Sequence, residues 1–136
     1  MEIQGIEVDA RAAFRVGAIG CQMINVKLPY PPTVNHYYTI ARGRKILSTK
    51  GRAYKDTCGI ELILQDAPKN LTARLEVNID AYPPDRRKRD MDNIIKPLLD
   101  ALQNYGMFDD EQIDILRIRR KEKGGYVRVH ISEIER

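Results

Sequence analysis

The sequence predicts an α+β (mixed α/β) domain with a single sheet and two principal helices. Residues 71–82 alternate between apolar and polar types, which is the period of a half-buried strand. Residues 93–104 carry apolar side chains at the spacing of an amphipathic helix. Short β-prone runs bounded by proline and glycine lie on either side of these segments. A chain of 136 residues is long enough for one such domain and its core.

Turn and cap residues divide the first half of the chain. The predicted elements are a strand over 22–28, a hairpin of 37–40 with 45–47, and a helix over 50–65. Pro29 ends the strand, because proline has no amide hydrogen to donate to a sheet. Gly43 lies at the tip of the hairpin. Ser48 and Thr49 are good N-cap candidates for the helix.

The pattern of the second half of the sequence predicts a strand over 71–82, a helix over 93–104, and a second hairpin of 113–120 with 126–132. The face of the strand over 71–82 that carries Leu75, Val77, Ile79 and Ala81 is expected to be covered. The other face is expected to meet solvent or DNA and carries Arg74, Glu76, Asn78 and Asp80. Pro97 is compatible with the helix only if regular α-helix begins late or bends there. Gly106 is the expected C-cap. The stripe of Leu98, Leu99 and Leu102 is either core or dimer interface.

The ends of the chain and its cysteines suggest a cytoplasmic domain. Residues 1–22 form an N-terminal extension to which no role is assigned, and 23–136 form the folded domain. No apolar run approaches the length of a membrane span, and the N-terminus does not resemble a secretory signal, so no membrane is expected. Cys21 and Cys58 are expected to be reduced thiols, because neither lies in a zinc-binding pattern.

Basic residues are concentrated in three clusters. The net charge is +4. The clusters are Arg42-Gly43-Arg44-Lys45, Arg86-Arg87-Lys88-Arg89 and Arg117-Ile118-Arg119-Arg120-Lys121. Each lies in or beside a predicted turn, where phosphate-contacting side chains often occur. Any one cluster is adequately explained as a solvated face, but three in so short a chain favour a nucleic-acid partner.

Acidic residues are concentrated just before and just after the predicted helix over 93–104. Asp90 and Asp92 are two residues apart where the chain leaves a strand for a helix, and Asp110 follows in the next turn. Close carboxylates repel unless a proton or cation lies between them, and Mg²⁺ accepts such oxygen ligands. Lys96 either stabilises charge on a phosphate or pairs with Asp92. The alternative is that the aspartates are helix caps and turn residues.

Several spaced motifs together resemble one family. The motifs are Leu28-Pro29-Tyr30-Pro31-Pro32, Asn35-His36-Tyr37-Tyr38, Arg42-Gly43-Arg44 with Ser48, Gly51 and Ala53-Tyr54, Asp85 to Asn93 with Lys96, Asp100-Ala101-Leu102, and Asp109-Asp110-Glu111-Gln112. In this order they resemble the RusA family of Holliday junction resolvases, from about residue 23 to residue 133. Residues 1–22 have no counterpart in the short members of that family.

The resemblance implies a homodimeric endonuclease that binds four-way DNA junctions and nicks two opposed strands symmetrically. It implies a Mg²⁺ cofactor, with Mn²⁺ also acceptable. The implied site residues are Asp90, Asp92 and Asp110 as metal ligands and Lys96 as the catalytic lysine. A shift of the alignment by one residue would exchange Asp110 with Asp109. The residues expected to hold the DNA backbone are Arg86, Arg87, Lys88, Arg89, Arg42 and Arg44.

Two other kinds of protein would show the same sequence features. A metal-dependent nuclease of flaps, forks or RNA–DNA hybrids would need the same carboxylates, because the chemistry is shared. A non-catalytic junction-binding protein would need only the basic clusters, with the aspartates as caps. The symmetry of a four-way junction favours a twofold dimer with one site in each subunit.

Overall fold

The computed structural model of the protein describes residues 23–134. The extension over 1–22 and Cys21 therefore lie outside the described residues. The strands are β1 (Met23–Pro29), β2 (Tyr38–Ala41), β3 (Arg44–Leu47), β4 (Arg74–Tyr82), β5 (Ile113–Arg120) and β6 (Tyr126–Ile134). The helices are α1 (Val34–Tyr37), α2 (Thr49–Leu64) and α3 (Ile95–Tyr105), with 3₁₀ turns at Met91–Ile94 and Asp110–Gln112.

The strands form a four-stranded sheet in the order β1-β6-β4-β5 and a separate two-stranded sheet, β2-β3. β6 is antiparallel to both of its neighbours, whereas β4 and β5 are parallel. The predicted α+β class and its two principal helices are confirmed, but the prediction of a single sheet is wrong. The predicted hairpin around Gly43 is also confirmed, but it forms its own small sheet instead of joining the main one.

The prediction that 113–120 and 126–132 form a hairpin is wrong. β4 lies between β5 and β6, so the two strands are not hydrogen-bonded to each other. The segment that connects β5 to β6 contains Gly124 and Gly125 and passes over the end of β4. There the amide of Gly125 donates to the carbonyl of Tyr82 at 2.7 Å, and the amide of Gly124 donates to the carbonyl of Pro83 at 2.8 Å. β5 takes the edge position, which suits its arginine-rich sequence because charged side chains discourage pairing with another chain.

The helix α2 begins where the sequence indicates. Ser48 is the N-cap, and its hydroxyl accepts a hydrogen bond from the amide of Gly51 at 3.0 Å. Gly51 is required for a close approach, since a Cβ atom there would lie 2.6 Å from the carbonyl oxygen of Tyr37. The glycine that weakens the helix locally thus lets α2 pack against α1.

A late start of the helix accommodates Pro97. Met91–Ile94 is a 3₁₀ turn, and α3 begins at Ile95. Pro97 is therefore in the first turn, where amide hydrogens have no partner within the helix. Gly106 is the C-cap with a φ of 100°. None of the helices between residues 23 and 134 is long and apolar enough to cross a membrane.

Both principal helices contribute to one core on one face of the main sheet. Leu98 and Leu102 are fully buried and Leu99 packs against them, so this stripe is core and not a dimer interface. Strand β4 presents Leu75, Val77, Ile79 and Ala81 to the same core, as its alternation predicts. On the other face Asp80 is an exception to the expected exposure, because Arg119 and His130 cover its carboxylate.

Candidate functional site

The acidic residues are carried by a strand–helix–strand crossover. β4 and β5 are parallel neighbours, and α3 connects the end of one to the beginning of the other. Asp90 lies at the carboxyl end of both strands, where Arg120 of β5 donates a hydrogen bond to the carbonyl of Arg89. Asp110 begins the 3₁₀ turn that leads into β5, after the C-terminal end of the helix.

Asp90 and Asp92 do not act as side-chain caps. Asp90 is the N-cap of the 3₁₀ turn but makes no capping hydrogen bond through its side chain, and Ile94 is the N-cap of α3. Both aspartates are exposed, and neither carboxylate has a hydrogen-bond or ion-pair partner among residues 23–134. The capping alternative therefore does not explain why two carboxylates lie two residues apart here.

Lys96 is paired, but not with Asp92. Its ammonium lies 3.1 Å from a carboxylate oxygen of Asp100, one helical turn further along α3. The hydrogen bond to Asp100 raises the pKa of Lys96 above its ordinary value, and the charge of Asp110 contributes in the same direction. Asp92 belongs to the 3₁₀ turn, so the regular helical spacing that would pair it with Lys96 is interrupted at Ile95.

Asp100 also accepts a hydrogen bond from the hydroxyl of Tyr37 at 3.1 Å. Tyr37 is fully buried in α1. Sequence reasoning assigned no role to this contact, although the Lys96–Asp100 spacing of four residues could have indicated their ion pair.

Asp109 and Asp110 are adjacent but differ in their contacts. The Asp109 carboxylate accepts a hydrogen bond from the amide of Glu111, and its own amide donates to the side chain of Gln112. This is a capping box that begins the second 3₁₀ turn. The amide of Asp110 donates to the side chain of Gln103 at 2.8 Å, while its carboxylate has no partner in the described part of the chain.

The described residues of the single chain contain no group of three or more His, Cys, Asp or Glu placed to hold a metal ion. Asp90 and Asp92 precede α3 and Asp110 follows it, and the charge of Asp110 acts on Lys96 in the first turn of that helix. Cys58 cannot supply a ready ligand, because it is buried and burial raises the pKa of its thiol to about 12. The available carboxylates are thus Asp90, Asp92 and Asp110.

The basic loop after β4 is organised by Asp85. Its carboxylate accepts the amide of Arg87 at 3.0 Å and two hydrogen bonds from Arg89 at 2.8 Å. The amide of Arg87, and then the guanidinium of Arg89, lower the pKa of Asp85 to about 2. The guanidinium of Arg89 also lies over the ring of Tyr30. Arg89 therefore holds the loop in shape.

The other predicted DNA-binding residues differ in how far they are engaged. Arg87 contacts Asp85 but is 82% exposed. Arg86 and Lys88 are exposed, and so are Arg42 and Arg44 at the tip of the β2–β3 hairpin. The side chains of these four residues have no hydrogen-bond or ion-pair partner within residues 23–134. Among the predicted DNA-binding residues, they are the cations most available to an external phosphate.

The third basic cluster is largely used within the sheet. Arg117 pairs with Glu76 of the neighbouring strand, and Arg119 pairs with Asp80. Arg120 donates to the backbone of the basic loop. These contacts favour the interpretation of this cluster as part of a solvated, internally paired sheet face.

Comparison with known proteins agrees with this arrangement of elements. Residues 29–133 match the family model described as endodeoxyribonuclease RusA. The chain belongs to the RusA family. The family predicted from the motifs is thereby confirmed.

Curated relatives of this RusA-family chain cover most of its length. The crossover junction endodeoxyribonuclease RusA of Escherichia coli K12 is 36% identical over 115 residues, covering 81% of this chain and 94% of the relative. The protein of the same name from Enterobacteria phage HK97 is 37% identical over 113 residues, covering 79% of this chain and 92% of the relative. The protein of the same name from Enterobacteria phage 82 is 34% identical over 113 residues, covering 81% of this chain and 94% of the relative.

Proposed function

We propose that this RusA-family chain resolves Holliday junctions by nicking two opposed strands symmetrically, in DNA recombination and repair. Its relatives are named crossover junction endodeoxyribonucleases. The observation that carries the proposal within the chain is the exposed pair Asp90 and Asp92, whose carboxylates no described residue uses. Exposed carboxylates without a protein partner are free to accept a hard divalent cation through their oxygens.

A divalent metal fits this pair. Mg²⁺ binds through one or two carboxylates and keeps waters and a substrate phosphate as its other ligands, and Mn²⁺ accepts the same oxygens. Asp90 and Asp92 would hold the ion, with Asp110 as the third carboxylate of the site. When bound, the metal supplies Lewis-acid polarisation of the phosphate and lowers the pKa of a bound water.

The chain's own residues contribute charge and orientation. Lys96 places a positive charge on α3, between the acidic pair and Asp110, where it can stabilise negative charge developing on the phosphate. Arg86, Arg87 and Lys88 extend from the loop directly before the acidic pair. Together with Arg42 and Arg44 they would bind the DNA backbone, while Arg89 fixes the loop on which the first three are carried.

A homodimer follows from the symmetry of the substrate. A four-way junction offers two equivalent strands, and a twofold axis would give each strand one Asp90–Asp92 pair. Because Leu98 and Leu102 are buried in the core, the dimer must use another surface.

The decisive experiment compares the wild-type protein with Asp92→Asn on labelled DNA, with Mg²⁺ and with EDTA. The substrates are four-way, three-way, flap and linear DNA of matched sequence. We expect paired nicks in the four-way junction only for the wild type with metal. Asp92→Asn is expected to bind the junction as well or better, because a charge that repels phosphate is removed.

Three results would contradict the proposal or a part of it. Preferential cutting of flaps or three-way DNA would indicate a nuclease of another branched substrate. Binding without cleavage across several junction sequences would indicate a non-catalytic junction-binding protein. Sedimentation of the wild type as a monomer at micromolar concentration would contradict the homodimer.

A further inference from the structure

The side chain of Lys96 is held at the end of a chain of contacts that begins in the core. Tyr37, which is fully buried, donates its hydroxyl hydrogen to one carboxylate oxygen of Asp100. The other oxygen of Asp100 lies 3.1 Å from the ammonium of Lys96. The side chain of Asp100 is 16% exposed and that of Lys96 is 53% exposed. The contacts therefore run from the buried side chain of Tyr37 to an ammonium that is open to solvent.

Helix stability does not account for this pair. In a helix, an acidic residue placed four positions before a basic one is the favourable order, whereas here the lysine comes first. Lys96 lies near the positive N-terminus of α3 and Asp100 lies in its middle, so the helix dipole does not favour the lysine. A half-exposed ion pair in this order contributes little to folding.

The geometry of Asp100 suits the restraint of a lysine. Lysine has a long, flexible stem that loses considerable rotamer freedom when its ammonium must occupy one place. A carboxylate has two oxygens, so one can bind the buried hydroxyl while the other receives the ammonium. Because Tyr37 cannot move without disturbing the core, Asp100 is itself restrained, and Lys96 is restrained through it.

We propose that Asp100, fixed by Tyr37, is a positioning residue that holds the ammonium of Lys96 where it stabilises the phosphate during strand cleavage. The inference rests on the proposed function and extends it to residues that do not touch the DNA. It assigns the restraint of Lys96 to two elements that are far apart in the sequence, α1 and α3.

The test is a double-mutant cycle measured by single-turnover cleavage of a four-way junction at saturating protein with Mg²⁺. Asp100→Asn keeps the shape and can still accept from Tyr37, but it loses the charge that attracts Lys96. We expect it to slow cleavage roughly ten- to hundredfold, the usual effect of misplacing a catalytic group, without weakening junction binding. In a Lys96→Ala background the same change is expected to have no further effect, because its partner is already absent.

Two variants separate positioning from general damage. Tyr37→Phe removes only the hydroxyl and is expected to slow cleavage less than Asp100→Asn, since the ion pair remains. Glu76→Gln is the matched control: it removes a carboxylate from the ion pair with Arg117 on the opposite sheet face and should leave the cleavage rate unchanged. If Asp100→Asn and Lys96→Ala slow cleavage independently and multiplicatively, the positioning role is overturned.

A measurement on the protein without DNA keeps the two proposals distinguishable. Side-chain NMR of Lys96, assigned by its loss in Lys96→Arg, reports the ion pair directly. In Asp100→Asn the pKa of Lys96 should fall, because Asp100 is the main group that raises it. An unchanged lysine signal would overturn the restraint itself. A changed signal in a protein that cuts no branched DNA would instead locate the failure in the proposed function.

Discussion

Two sets of aspartates lie within a short stretch of this chain and are used in opposite ways. Asp85 and Asp109 each accept backbone amide hydrogens in their own turns. Asp90, Asp92 and Asp110 are as close to turns, yet their carboxylates have no partner in the part of the chain that the structure describes. The first set satisfies the backbone. The second set makes no such contact with the backbone, which is why we propose it as the functional site.

Adjacent residues give the sharpest form of this comparison. Asp110→Asn should reduce junction cleavage on the order of a hundredfold, as expected when one charged group that supports the transition state is lost. Asp109→Asn should leave cleavage and stability nearly unchanged, because asparagine caps as well as aspartate. Both variants are compared with the wild type by single-turnover cleavage and thermal unfolding. The reverse order of effects would transfer the role of third carboxylate to Asp109.

The basic clusters divide in the same way, into engaged and available side chains. Replacing both Arg86 and Lys88 with alanine should weaken junction binding and reduce the slope of log affinity against log salt by about 2, one unit for each lost phosphate contact. Arg117→Ala serves as the control, since Arg117 is paired with Glu76 within the sheet. Fluorescence anisotropy at several salt concentrations measures the slopes. Equal slopes for the two variants would show that exposure does not identify the DNA-binding cations.

The smallest expected effect is the contribution of Asp85 to stability at low pH. The folded state lowers the pKa of Asp85 from its ordinary 3.8 to about 2, so its stabilising effect is complete above pH 4. That effect is lost as the pH falls from about 4 towards 2, when the carboxyl is protonated. The difference in melting temperature between the wild type and Asp85→Asn should therefore narrow over this range. A difference that stays constant down to pH 2 would contradict the assigned contacts.

Much of the fold and the acidic pair could be predicted from local sequence. Ser48 caps α2, Gly106 ends α3, and the alternation in β4 correctly identifies its buried face, because each depends on residues within a few positions of one another. Several short motifs in the same order, among them Asp85 to Asn93, identified the family. Local patterns determine these features because backbone geometry and side-chain periodicity act over short distances.

Tertiary structure decided the features that depend on distant neighbours. Alternation shows that β6 is buried on one face, but it does not tell which strands flank it, so its pairing with β1 and β4 was missed. Asp80 is covered by Arg119 and His130 from two other strands. Lys96 takes Asp100 as its partner because the α-helix begins only at Ile95 and because Tyr37, from a remote helix, fixes Asp100. Sequence determines which groups are available, and packing determines which of them meet.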